Sequence, residues 1–148
     1  MKSIIFVCLG NICRSPIAEG CAKKLADANN LDIIIASAGT SAWHIGETPC
    51  MNSIKVCKQH HIDIAHYKGS QFTKEDNNSY DLVVALDESN YNDLKSLGVP
   101  NLVKLGKYGY HSEDVPDPYY FDCFEGFEKV YEMIDTCVKN LFDEERLD

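Results

Sequence analysis

Short apolar runs rich in β-branched residues alternate with stretches of helical spacing along all 148 residues of the chain. That alternation confines the fold more than any single motif does. Strands buried on both faces read as continuous apolar runs, and parallel strands need helical crossovers between them. Ile4–Cys8 reads as the first strand. From Pro16 to about Asn29, Ile17, Cys21, Leu25 and Ala28 recur at helical spacing. Ile33-Ile34-Ile35 makes a second strand, and 37–49 is a loop containing Gly and Thr. A helix is expected over 50–60, with Met51, Ile54 and Cys57 on one face. The stretch 61–79 reads as irregular, with a turn at Asn77-Asn78-Ser79. Leu82-Val83-Val84-Ala85-Leu86 forms the third strand, 88–97 a helix stopped by Gly98, and 102–105 a short fourth strand. After the loop 106–122, rich in Gly, Pro and Tyr, comes the strongest helical signal. There Phe124, Phe127, Val130, Tyr131, Ile134, Val138 and Leu141 form one apolar stripe. The expected fold is α/β: one domain over 1–148, a four-stranded parallel sheet with helices on both faces, a flavodoxin-like three-layer sandwich. Ligands in such sheets bind beyond the carboxyl ends of strands, so Cys8, 37–40, Asp87 and Gly106 should share one rim.

Composition narrows the function. The formal charge of −9 argues against a nucleic-acid binder, which carries a basic patch, and against docking on anionic lipid. It also implies that any phosphate dianion must be held by strong local fields against a repulsive long-range one. No apolar run approaches the ~18 residues of a membrane span. The apolar N-terminus lacks the small-residue cleavage site of a signal peptide, so a cytoplasmic protein is expected. Seven cysteines, an odd number, with no secretory signal do not suggest a disulfide framework. Their spacing suggests no zinc site, and the adjacent His60 and His61 cannot easily face one metal from a helix. No metal or cofactor is expected.

The informative segment is Val7-Cys8-Leu9-Gly10-Asn11-Ile12-Cys13-Arg14-Ser15-Pro16. It leaves a strand and enters a helix whose first turn accepts Pro16. The loop can aim backbone N–H groups at an anion, aided by the partial positive charge of the helix N-terminus. Gly10 lets the backbone curl, and Asn11 tolerates unusual dihedrals. The Arg14 guanidinium can grip two phosphate oxygens with its planar fork. Cys8 would lie beneath that cradle, where donors and positive charge favour the nucleophilic thiolate, and Ser15 can donate its hydroxyl to the sulfur. A lone Cys-x5-Arg occurs by chance, and a buried cysteine is usually inert. Here the strand, Gly, Arg, Ser-Pro and helix agree.

The stretch 7–19, VCLGNICRSPIAE, resembles the active-site signature of the low-molecular-weight protein tyrosine phosphatases. The resemblance extends through Ser37-Ala38-Gly39-Thr40 with Trp43, Asp87-Glu88-Ser89-Asn90 and Asp117-Pro118-Tyr119-Tyr120, nearly the whole chain. It implies hydrolysis of phosphotyrosine or aryl phosphate monoesters through a cysteinyl-phosphate. Cys8 is then the nucleophile, Arg14 and the amides of Leu9, Gly10, Asn11, Ile12, Cys13, Arg14 and Ser15 hold the phosphate, and Asp117 is general acid and base. Trp43, Tyr119 and Tyr120 resemble pocket-wall aromatics, and tyrosines like the last two are phosphorylated in some relatives. Asn11 and Ser15 resemble residues that fix the loop, with His66 as a support for Asn11, while Asp87 and Asn90 brace the rim. Cys13 resembles a redox partner that forms a disulfide with Cys8. The implied partner is a phosphotyrosine-containing protein, with no nucleic acid or membrane, and a monomer is expected. The sequence departs from the family pattern at Cys50-Met51-Asn52, where many relatives carry Asp-Pro-Arg, and across 66–71, which lacks a common Arg.

Two other readings compete. Arsenate reductases on this scaffold need a relay cysteine after the third strand, and 86–97 contains none. A phosphotyrosine-binding adaptor would not need Cys8, Arg14 and Asp117 together.

Overall fold

The computed structural model describes residues 1–118 and 124–145. Four parallel strands, β1 (Ser3–Cys8), β2 (Ile34–Gly39), β3 (Leu82–Ala85) and β4 (Leu102–Lys104), lie in the order β2-β1-β3-β4. Four α-helices join and follow them: α1 (Arg14–Ala28), α2 (Met51–Gln59), α3 (Glu88–Ser96) and α4 (Glu125–Glu144). The expected three-layer α/β architecture is what forms. Alternate side chains of the central strands feed two separate cores. Ile4, Phe6 and Cys8 of β1 face one core with Leu82 and Val84 of β3 and the apolar faces of α1, α2 and α4. Ile5 and Val7 face the other with Val83, Ala85 and Leu94 of α3. All six residues of β1 are buried, which is why its sequence is apolar without alternation.

Two expectations at the sheet edge need correction. The second strand does not end at Ile35 but continues through Ala36, Ser37 and Ala38 to Gly39, with Cys8 opposite Gly39. Small polar residues obscure a strand in sequence, yet partial burial and the ladder with β1 hold them extended. The stretch 61–79 is also more ordered than its composition suggests. Gln71 bridges Gly39 at the outer edge of β2, Phe72 is buried in the second core, and Lys74–Asp76 form a 3-10 turn.

The strand order reverses direction between β1 and β3, and their carboxyl ends open a crevice there. The loop after β1 is seated in that crevice by outward hydrogen bonds from its carbonyls. Thr40 N–H donates to the Cys8 carbonyl at 2.8 Å, and Ser41 N–H to that of Leu9 at 2.9 Å. On the other side, Cys50 N–H donates to the Ile12 carbonyl at 2.8 Å, and Ser53 Oγ to that of Cys13 at 3.0 Å. A trans peptide sets its N–H opposite its C=O, so the N–H groups of Leu9, Gly10, Cys13 and Arg14 point away from these anchors. Among the described residues, no helix is long and apolar enough to cross a membrane.

Gly39 is required by close approach. A Cβ there would sit 2.7 Å from the Leu9 carbonyl oxygen and 3.1 Å from the Asn11 nitrogen. Backbone cannot yield as a flexible side chain can. Gly39→Ala should therefore push the loop out of place, lowering stability by about 1–3 kcal/mol in urea denaturation. It should also weaken inorganic phosphate binding by more than tenfold, measured by calorimetry.

Candidate active site

Cys8, the last residue of β1, is 3% exposed at the floor of a cleft. Its sulfur accepts from the Asn11 N–H at 3.3 Å and lies 3.0 Å from Ser15 Oγ. The groups behind Ser15 leave its hydroxyl hydrogen available to that sulfur. Asn11 Nδ2 donates to Ser15 Oγ at 2.8 Å and to Ser37 Oγ at 2.9 Å, and Asn11 Oδ1 accepts from the Ser70 N–H at 3.0 Å. Ser37 in turn donates to Glu19 at 2.5 Å, and Lys23 holds the other oxygen of Glu19 at 2.6 Å. Because Ser15 Oγ accepts from Asn11, its hydrogen is free for the sulfur at 3.0 Å or the more distant Ala38 carbonyl at 3.4 Å, and a thiolate at Cys8 is the stronger acceptor. An acidic anchor on α1 thus orients a chain of polar groups that ends at the Cys8 sulfur.

Asn11 occupies the left-handed region, φ 59°, which Asn adopts more readily than most residues. That conformation lets one residue place its amide on the sulfur and its side chain between three serines. The expected support of Asn11 by His66 is not what forms. His66 is exposed and meets Tyr67 edge-on, while Ser37 and Ser70 hold the amide.

Arg14, at the start of α1, is 5% exposed. Its Nη1 donates to Asp87 Oδ2 at 2.6 Å and to the Val115 carbonyl at 3.0 Å. Burial alone would lower its pKa, but the negative charge of Cys8 and the hydrogen bond and charge of Asp87, with Asp117 beyond, raise it instead. Asp87 follows β3 and works twice: its Oδ1 caps α3 by accepting from the Asn90 N–H at 2.8 Å. The rim role expected for Asp87 is therefore specific, a brace on Arg14. Asn90 is 2% exposed, and its Oδ1 has no protein partner.

Asp117 lines the same cleft as Cys8, Leu9, Gly10, Ile12, Cys13, Arg14, Trp43 and His44, a space of about 140 Å³. Its segment is tied to the sheet rim. Val115 N–H donates to the Leu86 carbonyl at 2.9 Å, and Lys104 at the end of β4 reaches Asp114 at 2.7 Å and Glu88 at 3.2 Å. Trp43 is 72% exposed at the cleft wall. Tyr119 and Tyr120, the other expected wall residues, lie outside the described residues. His44 is a cleft residue that the sequence reading missed. Its ring stands over Gly10, where a Cβ would come within 2.9 Å of it, and Glu47 holds its Nδ1 at 2.8 Å. Only its adjacency to Trp43 hinted at it. The Ser37, Ser70 and Glu19 contributions were also missed, since polar residues far apart in sequence carry no signal of convergence.

Removing Asp87 would leave a buried guanidinium without its charge partner, a change that typically costs about 3–5 kcal/mol. Asp87→Ala should approach that loss in urea denaturation, and Asp87→Asn, which keeps an acceptor oxygen for one of the two bonds but loses the charge and turns an N–H donor toward the other, should lose less than Asp87→Ala.

Comparison with known proteins agrees with this geometry. The family model for low molecular weight phosphotyrosine protein phosphatases matches residues 3–148. The low molecular weight protein-tyrosine-phosphatase PtpA of Staphylococcus aureus is 41% identical over 149 residues, covering 97% of this chain and 93% of that protein. Among solved structures, the Entamoeba histolytica protein tyrosine phosphatase with Hepes in its active site superposes with a TM-score of 0.91 at 30% identity. It covers 99% of this chain and 97% of that one. The Drosophila arginine phosphatase superposes with the same score and identity, over 100% of this chain and 99% of its own. Strand order, cleft and sequence converge, and the chain belongs to the low molecular weight phosphotyrosine protein phosphatase family.

Proposed function

We propose that this protein hydrolyses phosphotyrosine and related aryl phosphate monoesters through a phosphorylated cysteine. The observation that carries the reading is the convergence on one cleft of Cys8, with Ser15 and the Asn11 amide on its sulfur, the buried Arg14 and Asp117. Substrate enters with its phosphate on the loop 8–15 and its ring against Trp43. With Arg14 Nη1 committed to Asp87 and Val115, the fork of Nε and Nη2 grips two phosphate oxygens. The N–H groups turned away from the outward-bonded carbonyls complete the cradle.

The Cys8 sulfur attacks phosphorus, the S–P bond forms, and the P–O bond to the aryl group breaks. Asp117, protonated at this stage, gives its proton to the departing phenolate oxygen. Ionised Asp117 then takes a proton from water as that water attacks the cysteinyl-phosphate, releasing inorganic phosphate and restoring the thiolate. The Ser15 hydroxyl stabilises the sulfur as an anion in both its attacking and leaving roles. Protein groups meet the charge at every step, so no metal is required.

Cys8→Ser should abolish turnover of an aryl phosphate while phosphate still binds; wild-type turnover by that variant would place the nucleophile elsewhere. Asp117→Ala should slow hydrolysis of a substrate with a poor leaving group by about 10²–10⁴-fold. An equal rate would remove Asp117 from the mechanism. Activity should survive excess chelator.

An exposed indole also stacks on a guanidinium, and two structural relatives are arginine phosphatases. The specificity measurement therefore compares kcat/KM for phosphotyrosine and phosphoarginine peptides. A preference for phosphoarginine would overturn the aryl assignment while leaving the cysteine chemistry intact.

A further inference from the structure

Cys13 closes the phosphate loop, and its sulfur lies 3.1 Å from that of Cys50. A disulfide needs the two sulfurs at about 2.05 Å, so roughly 1 Å of approach separates this dithiol from a bond. Their main chains are already held together. Cys50 N–H donates to the carbonyl of Ile12, and Ser53 Oγ donates to that of Cys13.

The two thiols differ in ways that assign them roles. Cys50 is partly exposed, whereas Cys13 is 7% exposed. Cys50 also stands at the N-cap position of the nine-residue α2, where partial positive charge favours an anionic sulfur, and the Cys13 thiol is placed to donate to that sulfur. The helix N-terminus would mean little without a second thiol in contact. Three of the other described cysteines are unsuited to such chemistry. Burial pushes Cys57 and Cys137 up to about 12 and Cys21 well above its ordinary value. At position 50 the sequence also departs from the Asp-Pro-Arg common in the family it resembles, so this pairing belongs to the chain's own residues.

We propose that Cys13 and Cys50 form a redox-active dithiol, a modification site beside the nucleophile, which a hydroperoxide closes to a disulfide. Cys50 sulfur attacks the terminal O–O bond of the peroxide; an S–O bond forms, and the alcohol or water departs with the Cys50 proton. Cys13 sulfur then attacks the sulfenic sulfur of Cys50. The S–S bond forms, the S–O bond breaks, and the Cys13 proton leaves with the hydroxyl as a second water. Two electrons pass from the sulfur pair to the peroxide. A dithiol reductant reverses the bond by exchange. The pair spans 37 positions in sequence and joins the phosphate loop covalently to α2. It also gives Cys13 a partner other than Cys8.

Trypsin makes the site readable, because Cys13 falls in peptide 3–14 with Cys8, whereas Cys50 is the sole cysteine of peptide 25–55. Reduced wild-type protein treated with a small excess of hydrogen peroxide, then alkylated and digested without reductant, should yield these two peptides joined. The joined species should vanish with dithiothreitol. It should form in Cys8→Ser, where only Cys13 can supply the first peptide's sulfur, and be lost in Cys50→Ser. Cys50→Ser should keep aryl phosphate turnover within twofold of wild type, since the backbone N–H that seats the loop is retained and serine keeps a small polar side chain against Cys13. Recovery of peptide 3–14 with an internal disulfide and Cys50 still alkylated would show that Cys13 pairs with Cys8, overturning the proposal. So would full alkylation of Cys13 and Cys50 in peroxide-treated Cys8→Ser.

Discussion

The ion pair between Arg14 and Asp87 joins the two halves of the sheet at the point where its winding reverses. Arg14 starts the helix after β1, and Asp87 ends the turn after β3, 73 positions later. Neither residue is well solvated, so the cost of burying the guanidinium is met locally by one short charged contact and one carbonyl. The rest of the cleft is arranged around that bond. It fixes the guanidinium plane, and through the Val115 carbonyl it fixes the segment that delivers Asp117. Through the other oxygen of Asp87 it is continuous with the first turn of α3. A flexible surface arginine could find the same phosphate, but would give up side-chain freedom on every encounter.

A second polar system does for the sulfur what this pair does for the phosphate. Glu19, Ser37, Asn11 and Ser15 form a chain that ends at the Cys8 sulfur. Such chains are valuable only when complete, since a buried polar atom without a partner costs as much as a good bond contributes. Asn11 is the node, with both amide hydrogens and the carbonyl oxygen engaged. Its left-handed backbone is the local strain accepted to reach that position.

Legibility in the sequence followed the range of the physics. β1, β3, α1 and α4 were readable because burial imposes a periodicity on neighbouring residues. The same holds for the loop 8–16, whose Gly, Asn, Arg and Ser-Pro act within a few positions of one another. Ser37–Gly39 was not readable as strand, because small side chains satisfy a crowded backbone without an apolar pattern. His66 was misassigned for a related reason: sequence shows that a donor lies near, whereas only folding shows that Ser70 N–H and Ser37 reach Asn11 first. The Cys13–Cys50 contact lay beyond reach as well, joining residues from opposite ends of a long excursion through β2.

These arrangements also resolve the tension between an acidic protein and a dianionic ligand. At a formal charge of −9 the distant field repels phosphate, and Asp87 adds negative charge directly beside Arg14. Attraction must then arise inside the screening length of about 8 Å, from dipoles and one guanidinium held at contact. Fixed donors cost nothing to reorganise at the moment of reaction, while mobile surface cations would be screened and disordered. Affinity in such a site is therefore a property of backbone shape more than of net charge. A methyl group at Gly39, which changes no charge at all, bears on phosphate binding for that reason.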